Sequence, residues 1–196
     1  VTTRIGIFVF PGAEELDWAG PWEVLSYWAR IWPDDDVEVF TFSQDEGPIE
    51  CAKGLRVLTD HTWATMPPID VLVYPGGSGT RPQLGDLEIR DWIQGLAKGD
   101  TLMTSVCTGA LVFADAGLLR GRPATTYWSA FDEMLGLDGT IESRPNDRFV
   151  DDGKVITAAG VSAGIDMALH LVSRLHSVER ARDVRRGIQY DPEPPV

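Results

Sequence analysis

The chain has 196 residues, a formal net charge of −13, and a composition that is 43% hydrophobic and 24% charged, as in an ordinary globular protein. That acid surplus excludes the basic footprint that nucleic-acid binding needs, and the sequence has no apolar run of the roughly 18 residues that would cross a bilayer. Two cysteines, Cys51 and Cys107, are too few for a disulfide framework. Val1-Thr2-Thr3-Arg4 runs directly into a strand pattern without the layout of a signal peptide, so a cytoplasmic protein is expected.

Strand and helix patterns alternate from the start. Arg4 to Phe10 is an apolar run closed by Pro11-Gly12, as in a central parallel strand. Pro21 to Ile31 predicts a helix with Pro21 in its first turn, and Trp22, Val24, Leu25, Trp28 and Ala29 repeat at helical spacing toward the sheet. Val37 to Phe42 alternates as a strand, Gly54 to Thr59 predicts a short one, and Asp70 to Tyr74 a buried one closed by Pro75-Gly76-Gly77. Asp86 to Lys98 predicts a helix. Phe149 to Thr157 has the pattern of a hairpin with a glycine turn, and Ser162 to His176 and Ser177 to about Ile188 those of two closing helices. Pro192, Pro194 and Pro195 mark an extended tail. Arg180, Arg182, Arg185 and Arg186 beside Glu179 and Asp183 are expected to form a solvated helix face. The alternation implies an α/β fold, a single domain with a doubly wound, mostly parallel sheet sandwiched by helices.

The segment that carries chemistry is Thr101 to Ala110. An apolar strand pattern leads into Cys107, and a small-residue helix pattern, Thr108 to Ala116, follows. This order is that of a strand-to-helix elbow, which exposes a nucleophile at its apex. A thiol there is expected to have a lowered pKa, because the helix start favours the thiolate. The competing reading is a buried structural cysteine. Ligands of such sheets gather at the carboxyl ends of the strands. Asp17 follows the first strand pattern, and Gly76 and Gly77 follow a buried one. The glycine amides, with that of Thr108, can form an oxyanion pocket. A carboxyl group at Asp17 held in partly apolar surroundings keeps its proton more readily and can pass it to a substrate, although a helix cap near Pro21 accounts for the residue equally well. His61, His170 and His176 do not lie at the elbow, and no metal-ligand spacing or phosphate loop is present, so no metal or other cofactor is expected. Trp18 and Trp128 flank these motifs and are expected to line a pocket suited to an apolar substrate group. Cys51, with no elbow around it, reads as structural.

Phe10-Pro11, Glu15-Leu16-Asp17-Trp18-Ala19-Gly20-Pro21, Pro75-Gly76-Gly77, Ser105-Val106-Cys107-Thr108-Gly109, Ala116 to Arg122, Ala124-Thr125-Thr126-Tyr127-Trp128 and Ser162 to Asp166 together resemble the ThiJ/PfpI superfamily. Its members share the class I glutamine amidotransferase-like (flavodoxin-like) fold, and the resemblance runs from Arg4 to about Pro195. Within it, the pattern is most similar to isonitrile hydratases, which add water to an isonitrile carbon and release an N-substituted formamide. The resemblance implies Cys107 as nucleophile, Asp17 as acid/base and Thr108 as a supporting residue, with no cofactor and a homodimeric assembly. Tyr127 stands where related proteins usually carry histidine, so a phenol that does not titrate near neutral pH replaces an imidazole that does. Two alternatives stay open: a small-molecule-binding or oxidation-sensing domain without turnover, and glyoxalase- or deglycase-like chemistry on small aldehydes.

Overall fold

A computed structural model describes residues 1–193. Of the predicted proline tail, Pro194 and Pro195 lie outside the described residues. In chain order the strands and helices are β1 (Thr3–Phe8), α1 (Glu15–Ile31), β2 (Val37–Ser43), β3 (Ile49–Glu50), β4 (Arg56–Val57), β5 (His61–Thr62), β6 (Val71–Tyr74), α2 (Leu87–Lys98), β7 (Leu102–Val106), α3 (Gly109–Asp115), β8 (Pro123–Ala124), α4 (Phe131–Leu137), β9 (Glu142–Ser143), β10 (Phe149–Asp151), β11 (Val155–Ala158), α5 (Ala163–Leu175) and α6 (Val178–Gly187). Seven strands form one sheet in the order β10-β11-β7-β6-β1-β2-β5, parallel except for β10 against β11. The protein is therefore α/β with helices on both faces, and the predicted hairpin supplies the antiparallel edge.

Central parallel strands are buried on both sides, which is why they are mostly apolar rather than alternating. Ile5, Ile7, Val73, Val106 and Ile156 face a core closed by Val24, Leu25 and Trp28 of α1, Met167 and Leu171 of α5, and Val184 of α6. Phe8, Leu72, Tyr74 and Met103 face the other core, with Ile93 of α2, Leu111 and Phe113 of α3, and Met134 of α4.

Four expectations are corrected. Helix α1 begins at Glu15, not Pro21, so Asp17 sits in a helical first turn rather than in a loop, and Pro21 is inside the helix. The proline is accommodated where α1 packs on α5, with its ring against Gly164. Trp22 does not face the sheet; it is 40% exposed beside buried Pro21, Val24 and Leu25. The predicted strand Gly54 to Thr59 shrinks to Arg56–Val57, paired with β3 in a small separate hairpin. Finally, Arg180 is not on a solvated face: its guanidinium grips Asp35 at 2.6 and 3.0 Å and stacks over Trp32. The sequence reading also missed α4, the two-strand pair β8–β9, β5, and a 3-10 turn at Ser78–Gln83 that follows Gly77.

Candidate active site

The carboxyl ends of β1, β6, β7 and β11 carry the residues that meet here. The loop after β1 and the loop after β6 are tied by backbone bonds, Glu14 N–H to Gly76 O at 2.9 Å and Gly79 N–H to Gly12 O at 3.1 Å. These ties place the first turn of α1 beside Gly76. Asp17, 0% exposed, accepts a hydrogen bond from the Gly76 amide at 2.8 Å. It therefore caps nothing in its own helix. Its second oxygen, Oδ1, has no nitrogen or oxygen partner among the described residues. Burial raises the Asp17 pKa to about 7, with the Glu14 charge adding to the rise and the Gly76 amide and the Cys107 thiol opposing it.

Cys107 directly follows β7 and has φ +57°, a left-handed conformation that costs a non-glycine residue about 1–2 kcal/mol. The surroundings hold that strain in place. The Cys107 amide reaches the carbonyls of both Ala158 and Ala159 at 3.1 Å, and the buried Thr126 hydroxyl donates to the Cys107 carbonyl at 2.8 Å. The elbow is also pressed against the β6 loop: a Cβ on Gly76 would lie 2.8 Å from the Cys107 Cβ, so only glycine fits there.

The thiol is not ionised at rest. Cys107 is 5% exposed, and burial followed by the nearby Asp17 charge pushes its pKa up to about 12. This corrects the expectation of a depressed value. Helix α3 is only seven residues long, and desolvation together with a neighbouring carboxylate outweighs what its first turn offers. Three donors work in the opposite direction: the Thr108 amide, the Val161 amide and the Thr108 hydroxyl. Val161 is itself strained, a β-branched residue at φ +48°. The sequence reading missed its role, and the only signal was the small-residue run Ala158-Ala159-Gly160 between β11 and α5.

Gly76 and Gly77 do not offer free amides. One is spent on Asp17, and the Gly77 N–H donates to the Thr108 hydroxyl oxygen at 2.9 Å. The expected oxyanion pocket is thus replaced by a scaffold in which these glycines hold the acid and the threonine in place. Trp18 follows Asp17, is packed against both cores, and lines a cavity of about 410 Å³ with Val9, Trp22, Val57 and Leu58. Cys51 is buried with its thiol against the Trp18 indole, in keeping with a structural role. The Tyr127 ring lies directly over Gly160, where a side chain would collide with it. Trp128 is 77% exposed and turned to the surface, so the structure does not support it as a wall of a closed pocket. None of the histidines is found with the thiol: His61 packs on Phe40, His170 pairs with Asp151, and His176 with Asp35.

A mostly parallel sheet that presents a cysteine on a strained strand-to-helix turn, with a buried acid across from it, defines an α/β protein of the glutamine amidotransferase-like class. The chain belongs to the DJ-1/PfpI family, whose profile matches residues 3–174. It is 38% identical to an isonitrile hydratase of Pseudomonas putida, over 98% of this chain and 80% of that protein. It is 31% identical to the HTH-type transcriptional regulator CdhR of Pseudomonas aeruginosa, over 72% of this chain but 42% of the regulator. Among solved structures, a ThiJ/PfpI family protein from Pseudomonas syringae superposes with a TM-score of 0.85 at 30% identity, covering 100% of this chain and 78% of that one.

Proposed function

We propose that the protein is an isonitrile hydratase that uses Cys107 as nucleophile and Asp17 as proton carrier, without a cofactor. One observation carries the reading: a fully buried carboxyl group with a pKa raised to about 7 sits in reach of a thiol held at a strained turn. The 38% identity to the Pseudomonas putida enzyme supports the choice of substrate class.

The chemistry follows from the two pKa values. Above about pH 7 the Asp17 carboxyl is ionised while the thiol keeps its proton. The thiolate is therefore made on demand. As the Cys107 sulfur bonds to the isonitrile carbon, its proton passes to Asp17 and from there to that same carbon, leaving a thioimidate. Water then adds to the thioimidate carbon, with Asp17 accepting one of its protons. The nitrogen gains a proton, the carbon–sulfur bond breaks, the thiol is re-formed, and an N-substituted formamide leaves. Covalent catalysis divides one difficult addition into two easier ones. The Thr108 and Val161 amides and the Thr108 hydroxyl stabilise the sulfur as it becomes negative.

Two rival readings have less support. An oxidation sensor needs an exposed, low-pKa thiol, and this one is covered and raised. Aldehyde chemistry assisted by histidine lacks its histidine, since all three are engaged elsewhere. The chain is further proposed to work in the cytoplasm as a homodimer; the exposed Trp22 and Leu58 that line the cavity at Trp18 support pairing. Size-exclusion chromatography with light scattering should give twice the chain mass.

The test is incubation of purified protein with cyclohexyl isocyanide and detection of N-cyclohexylformamide. Turnover that disappears in Cys107→Ala is expected. Full activity of Cys107→Ala, or no formamide from several isonitriles alongside turnover of methylglyoxal, would overturn the proposal.

A further inference from the structure

We infer that Thr126 is a positioning residue for the nucleophile: its hydroxyl holds the Cys107 carbonyl and thereby keeps the strained turn closed. The inference rests on the proposed function in taking Cys107 as the reacting group, but not on the choice of substrate.

Thr126 is buried, 19 residues beyond Cys107, on the segment between β8 and α4. Its Oγ1 donates to the Cys107 carbonyl oxygen at 2.8 Å, well within the range of a good O–H···O bond. The carbonyl needs this outside donor. At φ +57° Cys107 lies outside the right-handed helical region, so its carbonyl is not lined up with the helix that follows. Among the described residues its other donor is the Ala110 amide at 3.4 Å, longer than a good N–H···O bond.

Thr126 is itself anchored through its neighbour. The Thr125 amide donates to the Thr157 hydroxyl of β11 at 2.9 Å, and the Thr125 hydroxyl donates to the Asp147 carbonyl at 3.3 Å. The end of β11 also grips the other side of the turn, because Ala158 and Ala159 accept the Cys107 amide at 3.1 Å. Both backbone polar groups of Cys107 are thus tied to one strand, the amide directly and the carbonyl through Thr126. The same arrangement gives a use to Thr157, a buried hydroxyl inside a strand. Without the Thr126 hydroxyl, the carbonyl is left buried with one weak partner. The strain of the left-handed turn is then opposed from the amide side alone. As the turn relaxes the thiol moves with it, although neither Cys107 nor Asp17 has been changed.

The experiment compares Thr126→Val, which keeps the β-branch and drops the hydroxyl, with Thr126→Ser, which keeps the hydroxyl. Amide hydrogen exchange, followed by NMR, reads the turn without any substrate. In Thr126→Val the Cys107 amide should exchange about tenfold faster than in the wild type, the effect of losing one hydrogen bond to a buried acceptor. The amides of β2, on the far side of the sheet, should stay within about twofold. Thr126→Ser should bring the Cys107 amide back to within about threefold of the wild type. With cyclohexyl isocyanide the valine variant should lose kcat about tenfold at unchanged KM, and serine should restore it. If Thr126→Val does not fold, Thr126→Ala against Thr126→Ser gives the same comparison. A Cys107 amide that exchanges at the wild-type rate without the hydroxyl, or speeds up no more than the amides of β2, would overturn the inference. So would an unchanged kcat in the valine variant of an active enzyme, or no rescue by serine. Should the wild-type protein fail to hydrate isonitriles while the exchange difference stands, the functional reading falls and this one survives.

Discussion

Two aspartates on one helical layer show how the same side chain is put to different uses. Asp35, at the end of the turn after α1, accepts from Trp28 Nε1 at 2.6 Å, from Arg180 Nε at 2.6 Å, and faces His176 Nε2 at 3.1 Å. The Arg180 hydrogen bond leads the forces that lower its pKa. Asp17, at the other end of α1, has one neutral amide, no cation in contact, and a thiol opposite. Its pKa rises to about 7. A covered carboxylate given cations becomes a rivet that holds α6 onto the end of α1. One deprived of them becomes a group that can gain and lose a proton near neutral pH, at a cost in stability.

The sharpest way to break this contrast is to neutralise each residue. Asp17→Asn should lower isonitrile turnover by more than about a thousandfold, since a proton carrier and not merely a hydrogen bond is lost. Its melting temperature should hold or rise. An Asp17→Asn protein with near-normal turnover would remove Asp17 from the mechanism.

The pH dependence comes next. Between the ordinary carboxylate range near 4 and about 7, the folded state holds a proton on Asp17 that the unfolded chain has lost. Stability therefore falls as pH rises through that window, by about 4 kcal/mol at most, and levels above it. Turnover should move the opposite way, rising with pH until about 7, because the ionised form must accept the thiol proton. Urea unfolding and kcat/KM measured from pH 4 to 9 check both, and Asp17→Asn should flatten the stability slope. Asp35 has the reverse sign: its lowered pKa contributes stability above the ordinary carboxylate range that is lost as pH falls through the folded value.

A smaller effect is expected from Asp35→Asn, which leaves the Arg180 guanidinium short of its counter-charge and should destabilise the fold by about 2 kcal/mol. Turnover per folded molecule should stay within about twofold. Smallest of all is Tyr127→Phe. The Tyr127 hydroxyl makes no hydrogen bond among the described residues, while its ring fills the space over Gly160. Removing the hydroxyl should change kcat by less than about threefold; a larger loss would give the phenol a direct part in catalysis.

Much of this was legible in the residue order. The apolar runs at Ile5 to Phe8, Val71 to Tyr74 and Leu102 to Val106 identify central parallel strands, because a strand covered on both faces has no polar face to alternate with. The step from such a run through Cys107 into Gly109-Ala110 marks the elbow. Short pieces such as β5 and β8 carry too few residues for any period to show, and α4 follows an exposed Trp128 with only one buried residue of its own. The start of α1 was misplaced because proline is read as a helix opener, whereas here the packing on Gly164 holds it within the helix.

By itself, the sequence determined the alternating α/β layout and the turn that presents Cys107, since these follow from local periodicity and from residue types at strand ends. Only the tertiary structure decided the protonation states and where the backbone donors point. Burial, the field of one charge on another, and the spending of the Gly76 and Gly77 amides on Asp17 and Thr108 arise between segments 30 to 60 residues apart, as the separations of 31 and 59 in those two hydrogen bonds show. No local pattern encodes a distance of that kind, which is why a thiol that reads as ionised in the sequence holds its proton in the fold.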